Sequence, residues 1–286
     1  MEKIAIMTDV NAGTDYLKEK YDIKVLRSMI NFGDDHYIDG VDIKADEFYR
    51  KLQKTDIIPS TSAPTLGEAT EYVSKMVEDG YTDVIMYAIS YKLSSIGNMV
   101  ESLSEDFGDK INIHVVDTKT SVYNQAYLAI EAYKMAQEGK SVKEILDYSN
   151  YIINNQHAYF VVDDLMYLVK NGRLSGFSGF LGSLLKIKPI LEINDEGAIV
   201  VKQKERTAVR ALNGVHDLVV NDLQGCKKVI LTVYHTAREE DAKKLAAEYK
   251  KEFPCAAEVN VAAITPAVGA HIGCGVLGIS YIILER

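Results

Sequence analysis

Short runs of apolar residues alternate along the chain with longer segments in which apolar residues recur every three or four positions. The runs predict β-strands, and the spaced segments predict amphipathic helices. In the N-terminal half the predicted strands cover 4–8, 23–32, 83–89 and 111–116, and the predicted helices cover 65–79, 94–107 and 122–138. Such alternation is typical of a mostly parallel sheet in an α/β fold.

Three pairs of residues mark places where helices begin. In each pair a hydroxyl residue is followed three positions later by a glutamate, which is the spacing of a capping box. The pairs are Thr65 with Glu68, Ser141 with Glu144, and Thr236 with Glu239. Gly80 and Gly139 are placed to end two of the helices.

After about residue 155 the order of predicted strands and helices changes. The predicted elements are, in order, strands over 158–162, 187–193 and 198–203, a helix over 207–220, a strand over 229–234, a helix ending at 252 and two final strands. An Asn-Asp-Glu-Gly turn at 194–197 makes the second and third of these strands an antiparallel hairpin.

This change in the order of elements predicts two α/β lobes that hold a ligand between them. The N-terminal lobe is predicted to cover 1–155 and the C-terminal lobe 156–286, with an approximate boundary. The segment near 55–75 is a candidate to pack with the C-terminal lobe.

Composition and charge narrow the function classes. The chain has 286 residues, of which 47% are hydrophobic and 26% are charged, so it can bury a sizeable core. Its net charge of -9 argues against a nucleic-acid-binding or anionic-membrane-binding surface, which requires a basic face. Three cysteines without a CxxC pair argue against a disulfide framework and a cysteine zinc site. An acid at position 2 and a strand-like run after it are unlike a signal peptide, so a cytoplasmic location is expected.

The stretch 260–284 has no formally charged residue and is long enough to span a bilayer. It contains Pro266 and several glycines and ends in a β-branched run, so we predict a strand, a glycine-rich loop and a second, buried strand, with no stable membrane insertion. Within this stretch, 273–278 matches GxGxxG. In a dinucleotide site this motif stands at the start of a helix and is followed by an acidic residue about 20 positions later. Only eight residues follow, and they predict a strand.

Two common kinds of site lack their sequence signatures. No GxxxxGK[ST] loop is present, so the chain lacks the most common cradle for ATP phosphates. The six histidines form no HExxH motif and no i, i+4 pair, which leaves a histidine metal site unsupported. We therefore predict no metal, no cofactor and no complete catalytic apparatus in this chain.

Four segments carry more polar chemistry than a generic fold requires. The first, 59–65, places hydroxyl groups ahead of a helix N-terminus, where free N–H groups favour an anion, although a plain N-cap explains the same residues. The second, 89–95, lies where a strand turns into a helix. Ligands of open α/β folds bind at that edge of the sheet, and helix capping by Ser94 is the alternative.

The third segment places Arg173 after Gly172, and its guanidinium suits a carboxylate or a phosphate. Apolar residues that follow suit either the wall of an apolar cavity or ordinary core packing: Phe177, Phe180, Leu181, Leu184 and Leu185. The fourth segment holds His271 in a glycine-rich loop, where a structural role is the alternative to a ligand contact.

Together these segments resemble the DegV family of bacterial fatty-acid-binding proteins. The resemblance runs nearly end to end and is carried, in chain order, by 4–9, Thr61-Ser62, Leu93-Ser94, 116–118, 171–175, 187–191, Arg206 and Gly269-Ala-His271. It implies a two-lobed α/β protein that holds one long-chain fatty acid between its lobes. It also implies the binding subunit of fatty acid kinase, whose separate ATP-binding subunit phosphorylates the carboxylate for phospholipid synthesis.

The resemblance also implies roles for individual residues. Thr61 and Ser94 match hydroxyls that hold the fatty-acid carboxylate, and His271 matches a histidine at the same head group. Arg173 occupies the arginine position near that site, with Ser62 as a neighbour expected to help.

Arg206 matches an arginine associated with docking of the kinase subunit. The chain departs from the family pattern at Val10, at 95–97, at Asn171 and at Cys274. These differences concern the mouth of the pocket and hence the preferred length of the acyl chain.

Two other functions are compatible with the residues. With Ser94 as nucleophile, His271 as base and Asp117 or Asp9 as orienter, the chain would be a serine hydrolase or esterase, although it has no GxSxG elbow. A scaffolding protein whose core is filled by a lipid is the second alternative.

Overall fold

A computed structural model of the chain describes residues 2–176 and 187–286. The first half comprises β1 (Ile4–Asp9), β2 (Ile23–Leu26), β3 (Met29–Phe32), β4 (Asp35–Ile38), α1 (Ala45–Leu52), β5 (Ser60–Ser62), α2 (Leu66–Glu78), β6 (Asp83–Ala88), α3 (Ile96–Glu101), α4 (Ser104–Phe107), β7 (Asn112–Asp117), α5 (Val122–Gln137) and α6 (Val142–Ile153). Two 3-10 turns follow β1, at Val10–Ala12 and Thr14–Tyr16.

The second half comprises β8 (Gln156–Val161), α7 (Met166–Lys170), β9 (Lys188–Ile193), β10 (Ile199–Glu205), α8 (Ala208–Asp222), β11 (Lys228–His235), α9 (Glu239–Glu252), β12 (Ala256–Ala263), α10 (Pro266–Ile272) and β13 (Leu277–Glu285). The five apolar residues that follow Arg173 and suit a cavity wall lie outside the described residues.

The strands form three sheets, and the α/β fold class is confirmed. One sheet has the order β2-β1-β6-β7 and is parallel throughout. The second has the order β10-β9-β8-β13-β11-β12 and is antiparallel except between β11 and β12. A small antiparallel sheet has the order β4-β3-β5. The prediction of a mostly parallel sheet therefore holds for the first large sheet only. In the second sheet, the tight turn between β9 and β10 can join only antiparallel strands.

The single strand predicted over 23–32 is wrong, because β2 and β3 belong to different sheets. Arg27 lies between them, and its guanidinium donates to the Asp15 carboxylate at 2.6 Å and to the Asp39 carbonyl at 2.9 Å. These bonds hold the chain where it leaves the parallel sheet to form the small one.

The glycine-rich loop predicted after β12 is also wrong in part, because it contains the helix α10. Thr265 caps this helix by accepting from the Val268 N–H, and Pro266 follows it. Gly269 faces the rings of Phe48 and Tyr49 on α1, where a Cβ would not fit, so glycine permits close helix packing. No helix in the described ranges is long and apolar enough to cross a membrane.

Two of the three capping boxes are confirmed, those of Thr65 and Ser141. The third is wrong. The Thr236 hydroxyl accepts from the Val276 N–H at 2.8 Å, and α9 begins after Arg238 instead. The helix predicted over 94–107 is divided into α3 and α4.

Helix α5 joins the two large sheets, because it packs against β1 and β6 on one side and β13 on the other. Residues 124–130 are all buried, as expected for a helix surrounded by protein. One core cluster accordingly combines Ile6 and Tyr87 of the first sheet with Ile230 and Ile282 of the second.

The small sheet and α1 pack against α10, which belongs to the second half of the chain. The two large sheets are drawn from 4–117 and 156–285. The lobe boundary near residue 155 stays a prediction.

The turn between β9 and β10 meets the end of β6 at a second contact between the halves. Ser90 donates to the Gly197 carbonyl at 2.8 Å, and Gly197 has a φ of 82°. A Cβ on Gly197 would overlap Ser90 Oγ and lie 3.0 Å from the Lys119 Cα. Gly139 has a similar φ of 78° but has nothing within 4 Å of an added Cβ.

We expect Gly139→Ala to lower the free energy of unfolding by about 1–2 kcal/mol, the cost of left-handed backbone for a residue with a Cβ. Gly197→Ala should cost about 1–3 kcal/mol more, because it adds overlap with Ser90. Urea unfolding of the two variants measures the difference. Equal losses would show that the Ser90 contact does not constrain the turn.

Candidate functional site

A cavity of about 310 Å³ lies at the carboxyl ends of the parallel strands and reaches the face of the second sheet. Asn11 follows β1, Ile89 follows β6 and Ser121 follows β7, and all three line the cavity. Phe160 of β8 and Tyr234 of β11 line it from the second sheet. Its place agrees with the rule that ligands of open α/β sheets bind beyond the carboxyl ends of the strands.

Most of the wall is apolar, and polar side chains interrupt it. Four of the predicted site residues belong to the lining: Thr61, Ser94, Arg173 and His271. They come from β5, the loop after β6, the loop after α7, and α10, and the fold brings them to one cavity.

Thr61 and His271 are in direct contact, with 2.8 Å between Thr61 Oγ1 and His271 Nε2. Thr61 is opposite Ile30 in the small sheet, so the β3–β5 pairing places its side chain against α10. The two residues are 210 positions apart, so the sequence around either one does not indicate that they are in contact.

Burial, with a smaller contribution from the charge of Arg173, lowers the pKa of His271 to about 4. The ring is therefore neutral at pH 7, with one donating and one accepting nitrogen. In the tautomer with its proton on Nε2, the ring donates to Thr61 Oγ1 and leaves the Thr61 hydroxyl proton for an acceptor in the cavity. His271 Nδ1 is buried and has no hydrogen-bond partner among the described residues.

Arg173 supplies a positive charge beside this pair. Its Nε donates to the Leu93 carbonyl at 3.2 Å and its Nη1 donates to the Asn171 carbonyl at 2.5 Å. Both acceptors are neutral, and no acid in the described ranges forms a salt bridge with the guanidinium. The charge therefore favours an anion at this end of the cavity.

Asn171, noted in the sequence only as a departure from the DegV pattern, holds the loop in place. Its Nδ2 donates to the Ala270 carbonyl at 3.2 Å and to the Pro59 carbonyl at 3.4 Å. It thus ties the Arg173 loop to α10 and to the segment before β5. Its partners are about 100 residues away, so no local pattern could reveal this role.

Ser94 and Ser62 occupy different positions relative to the cavity. Ser94 lines the cavity, and its Oγ accepts from the Ile96 N–H at 3.4 Å. The N-cap of α3 is Ser95, whose side chain makes no cap bond, so capping by Ser94 is wrong. Ser62 is exposed, lies outside the lining and accepts from Asn31 Nδ2 at 3.0 Å. Neighbouring side chains alternate across a strand, so Thr61 and Ser62 point to opposite faces. Ser62, which was predicted to help bind the head group, therefore has no contact with the cavity.

Arg206 is exposed and follows β10, apart from the cavity lining. Its predicted role in docking requires only an accessible position and stays a prediction.

A hydrolase triad is not assembled among the described residues. His271 Nε2 contacts Thr61 rather than Ser94. Asp117 accepts from the backbone N–H groups of Tyr91 and Lys119, and Asp9 is likewise engaged by neighbouring amides. Neither carboxylate orients the histidine.

The fold and the cavity define an α/β protein with a largely apolar internal chamber and one polar end. A sequence model of the DegV family matches residues 3–284, and the chain belongs to this family.

Similar proteins cover the whole chain. A DegV domain-containing protein of Staphylococcus aureus (strain COL) is 32% identical over 292 residues, which is 98% of this chain and 97% of the relative. The crystal structure of a fatty acid binding DegV family protein from Streptococcus agalactiae matches with a TM-score of 0.89 and 28% identity, over 100% of both chains. That of DegV, a fatty acid binding protein from Bacillus subtilis, matches with a TM-score of 0.88 and 28% identity, over 99% of this chain and 100% of the other.

The low pKa of His271 makes stability depend on pH. Folded protein resists protonation of this ring, so the stability it supports is present above pH 6.5 and is lost as pH falls toward 4. The difference in unfolding free energy between ligand-free wild type and His271→Gln should therefore decrease by about 2 kcal/mol from pH 7 to pH 4.5. Urea unfolding at both pH values measures it. A difference independent of pH would contradict the depressed pKa.

Proposed function

We propose that this chain binds one long-chain fatty acid in the cavity, with its carboxylate at Thr61, Ser94, Arg173 and His271. The observation that carries the proposal is the guanidinium of Arg173, uncompensated by an acid in the described ranges, beside the Thr61–His271 pair at one end of an apolar chamber. Membership of the DegV family and the two fatty acid binding proteins of the same fold support it.

The polar end suits a carboxylate. An isolated buried carboxylate is costly, so it needs several donors and preferably a positive neighbour. The Thr61 and Ser94 hydroxyls can donate, and Arg173 supplies the charge. Neutral His271 can hold Thr61 in the orientation that donates to the ligand.

The apolar wall suits an alkyl chain. Each buried methylene contributes about 0.8 kcal/mol, so about fifteen of them give on the order of 12 kcal/mol before the costs of binding. The tail would therefore dominate affinity, while the polar cluster would fix which end of the ligand is presented.

We further propose that the bound carboxylate is presented to a separate ATP-dependent kinase subunit that forms the acyl phosphate. The chain has no GxxxxGK[ST] loop, so the phosphate-positioning parts would belong to that partner. Support comes from the resemblance in sequence and from the exposed position of Arg206. In this proposal the chain itself contributes no catalytic residue.

The adjacent residues Thr61 and Ser62 provide a matched test of the head-group site. Native mass spectrometry of wild type should show one fatty acid per chain. We expect Thr61→Val to raise the Kd for a long-chain fatty acid about tenfold or more, since it removes a hydrogen bond to a charged group. Ser62→Ala, on the opposite face of β5, should leave the Kd within about twofold.

The binding proposal fails if wild type carries no fatty acid and takes up none from a panel of saturated and unsaturated chains. Equal effects of the two substitutions would refute only the placement of the carboxylate.

The kinase proposal has its own test. Arg206→Ala should reduce acyl phosphate formation with the ATP-binding subunit about tenfold while fatty-acid binding is unchanged, because it removes an interface cation and no cavity contact. Arg50→Ala, an exposed arginine on α1, is the control. If Arg206→Ala supports acyl phosphate formation at the wild-type rate, Arg206 is not part of the docking surface. If the single chain hydrolyses ATP, the assignment of ATP to a partner is wrong.

A further inference from the structure

The chamber has a second polar point, at the N-terminus of α5. Ser121 is the residue that precedes α5, lines the chamber and is only 6% exposed. Its Oγ is buried and has no hydrogen-bond partner among the described residues. A buried hydroxyl left unpaired is costly, so it points to a group that the described residues do not supply.

The start of α5 lies at the same place. The helix has 16 residues, and Ser121 makes no side-chain cap bond to it. The first N–H groups of a helix have no partner within the helix, and they carry its positive end. Val122, which also lines the chamber, has a φ of 57°, an outlier for a β-branched residue. The surrounding structure therefore holds the helix start in an unfavourable backbone conformation beside the chamber.

This point is separate from the carboxylate end. A smaller neighbouring pocket is lined by Thr120, by Ala158 and by Ile193, and the last two also line the chamber. Thr61 and Arg173 line only the chamber, in the described part of the chain. Ser121 follows Thr120 directly in the chain, so we place it on the side of the chamber that adjoins this pocket, where the acyl chain would lie.

We propose that Ser121 and the first turn of α5 form a subsite for an oxygen carried by the acyl chain, as in hydroxy- and oxo-fatty acids. This inference rests on the proposed fatty-acid binding. A plain alkyl chain leaves the Ser121 hydroxyl without a hydrogen bond, so alanine at this position would bind such a chain more favourably. An oxygen on the chain accepts from the Ser121 hydroxyl, and a hydroxyl on the chain can instead donate to Ser121 Oγ.

The test compares stearic acid with positional isomers of hydroxystearic and oxostearic acid on the full chain. At least one isomer should bind wild type as tightly as stearic acid or more tightly. Ser121→Ala should weaken that isomer about tenfold and leave stearic acid unchanged or a few-fold tighter. Ser102→Ala, an exposed serine outside the chamber lining, should leave both affinities unchanged.

Ser121→Cys provides a second variant of similar size and weak donor strength, and melting temperatures establish that each variant is folded. The inference is overturned if every oxygenated isomer binds more weakly than stearic acid by the same factor in wild type and in both Ser121 variants. Failure of stearic acid itself to bind wild type would instead refute the proposed function.

Discussion

The rest of the site depends on the hydrogen bonds that the buried Asp9 carboxylate accepts at the end of β1. One oxygen accepts from the backbone and side-chain N–H groups of Asn11, and the other accepts from the Ile89 N–H and from Gln125 Nε2. Burial raises its pKa, and these N–H groups oppose that rise. No cation takes part among the described residues. The carboxylate thus fixes β1, the end of β6 and α5 at one point, and Asn11 and Ile89 continue from it into the chamber wall.

Helix α5 carries this constraint into the second half of the molecule. Gln125 meets Asp9, and one position earlier Asn124 donates to the Tyr281 carbonyl of β13 and accepts from the Tyr234 hydroxyl of β11. Each of these polar groups is buried, so losing a partner costs about 1–3 kcal/mol. The helix that joins the sheets therefore has a defined rotation, and its first residue necessarily faces the chamber.

Sequence patterns located elements whose signals are local, and missed those that depend on distant packing. The boxes at Thr65 and Ser141 involve residues three apart and were predictable. Helix α10 was not, because glycine disfavours helices and Gly269 is explained only by the ring of Tyr49 across the fold. Strand β5 consists of three polar residues and pairs with β3, 31 positions away at Ile30 and Thr61. The same holds for the site: Arg173 and His271 could be selected by residue type and by resemblance to the DegV family, whereas Asn171 acts through partners that no spacing reveals.

The charge balance of the polar end bears on the proposed reaction. In the ligand-free protein His271 is neutral, so Arg173 is the cation at the polar end of the chamber. A carboxylate that must attack a phosphoryl group loses nucleophilicity when it is strongly neutralised, and binding that stabilises the ground state alone does not accelerate the step. In the proposed complex, a single cation aided by hydroxyls would orient the ligand without suppressing its reactivity. Most of the affinity would then come from the alkyl chain, which is remote from the reacting oxygen.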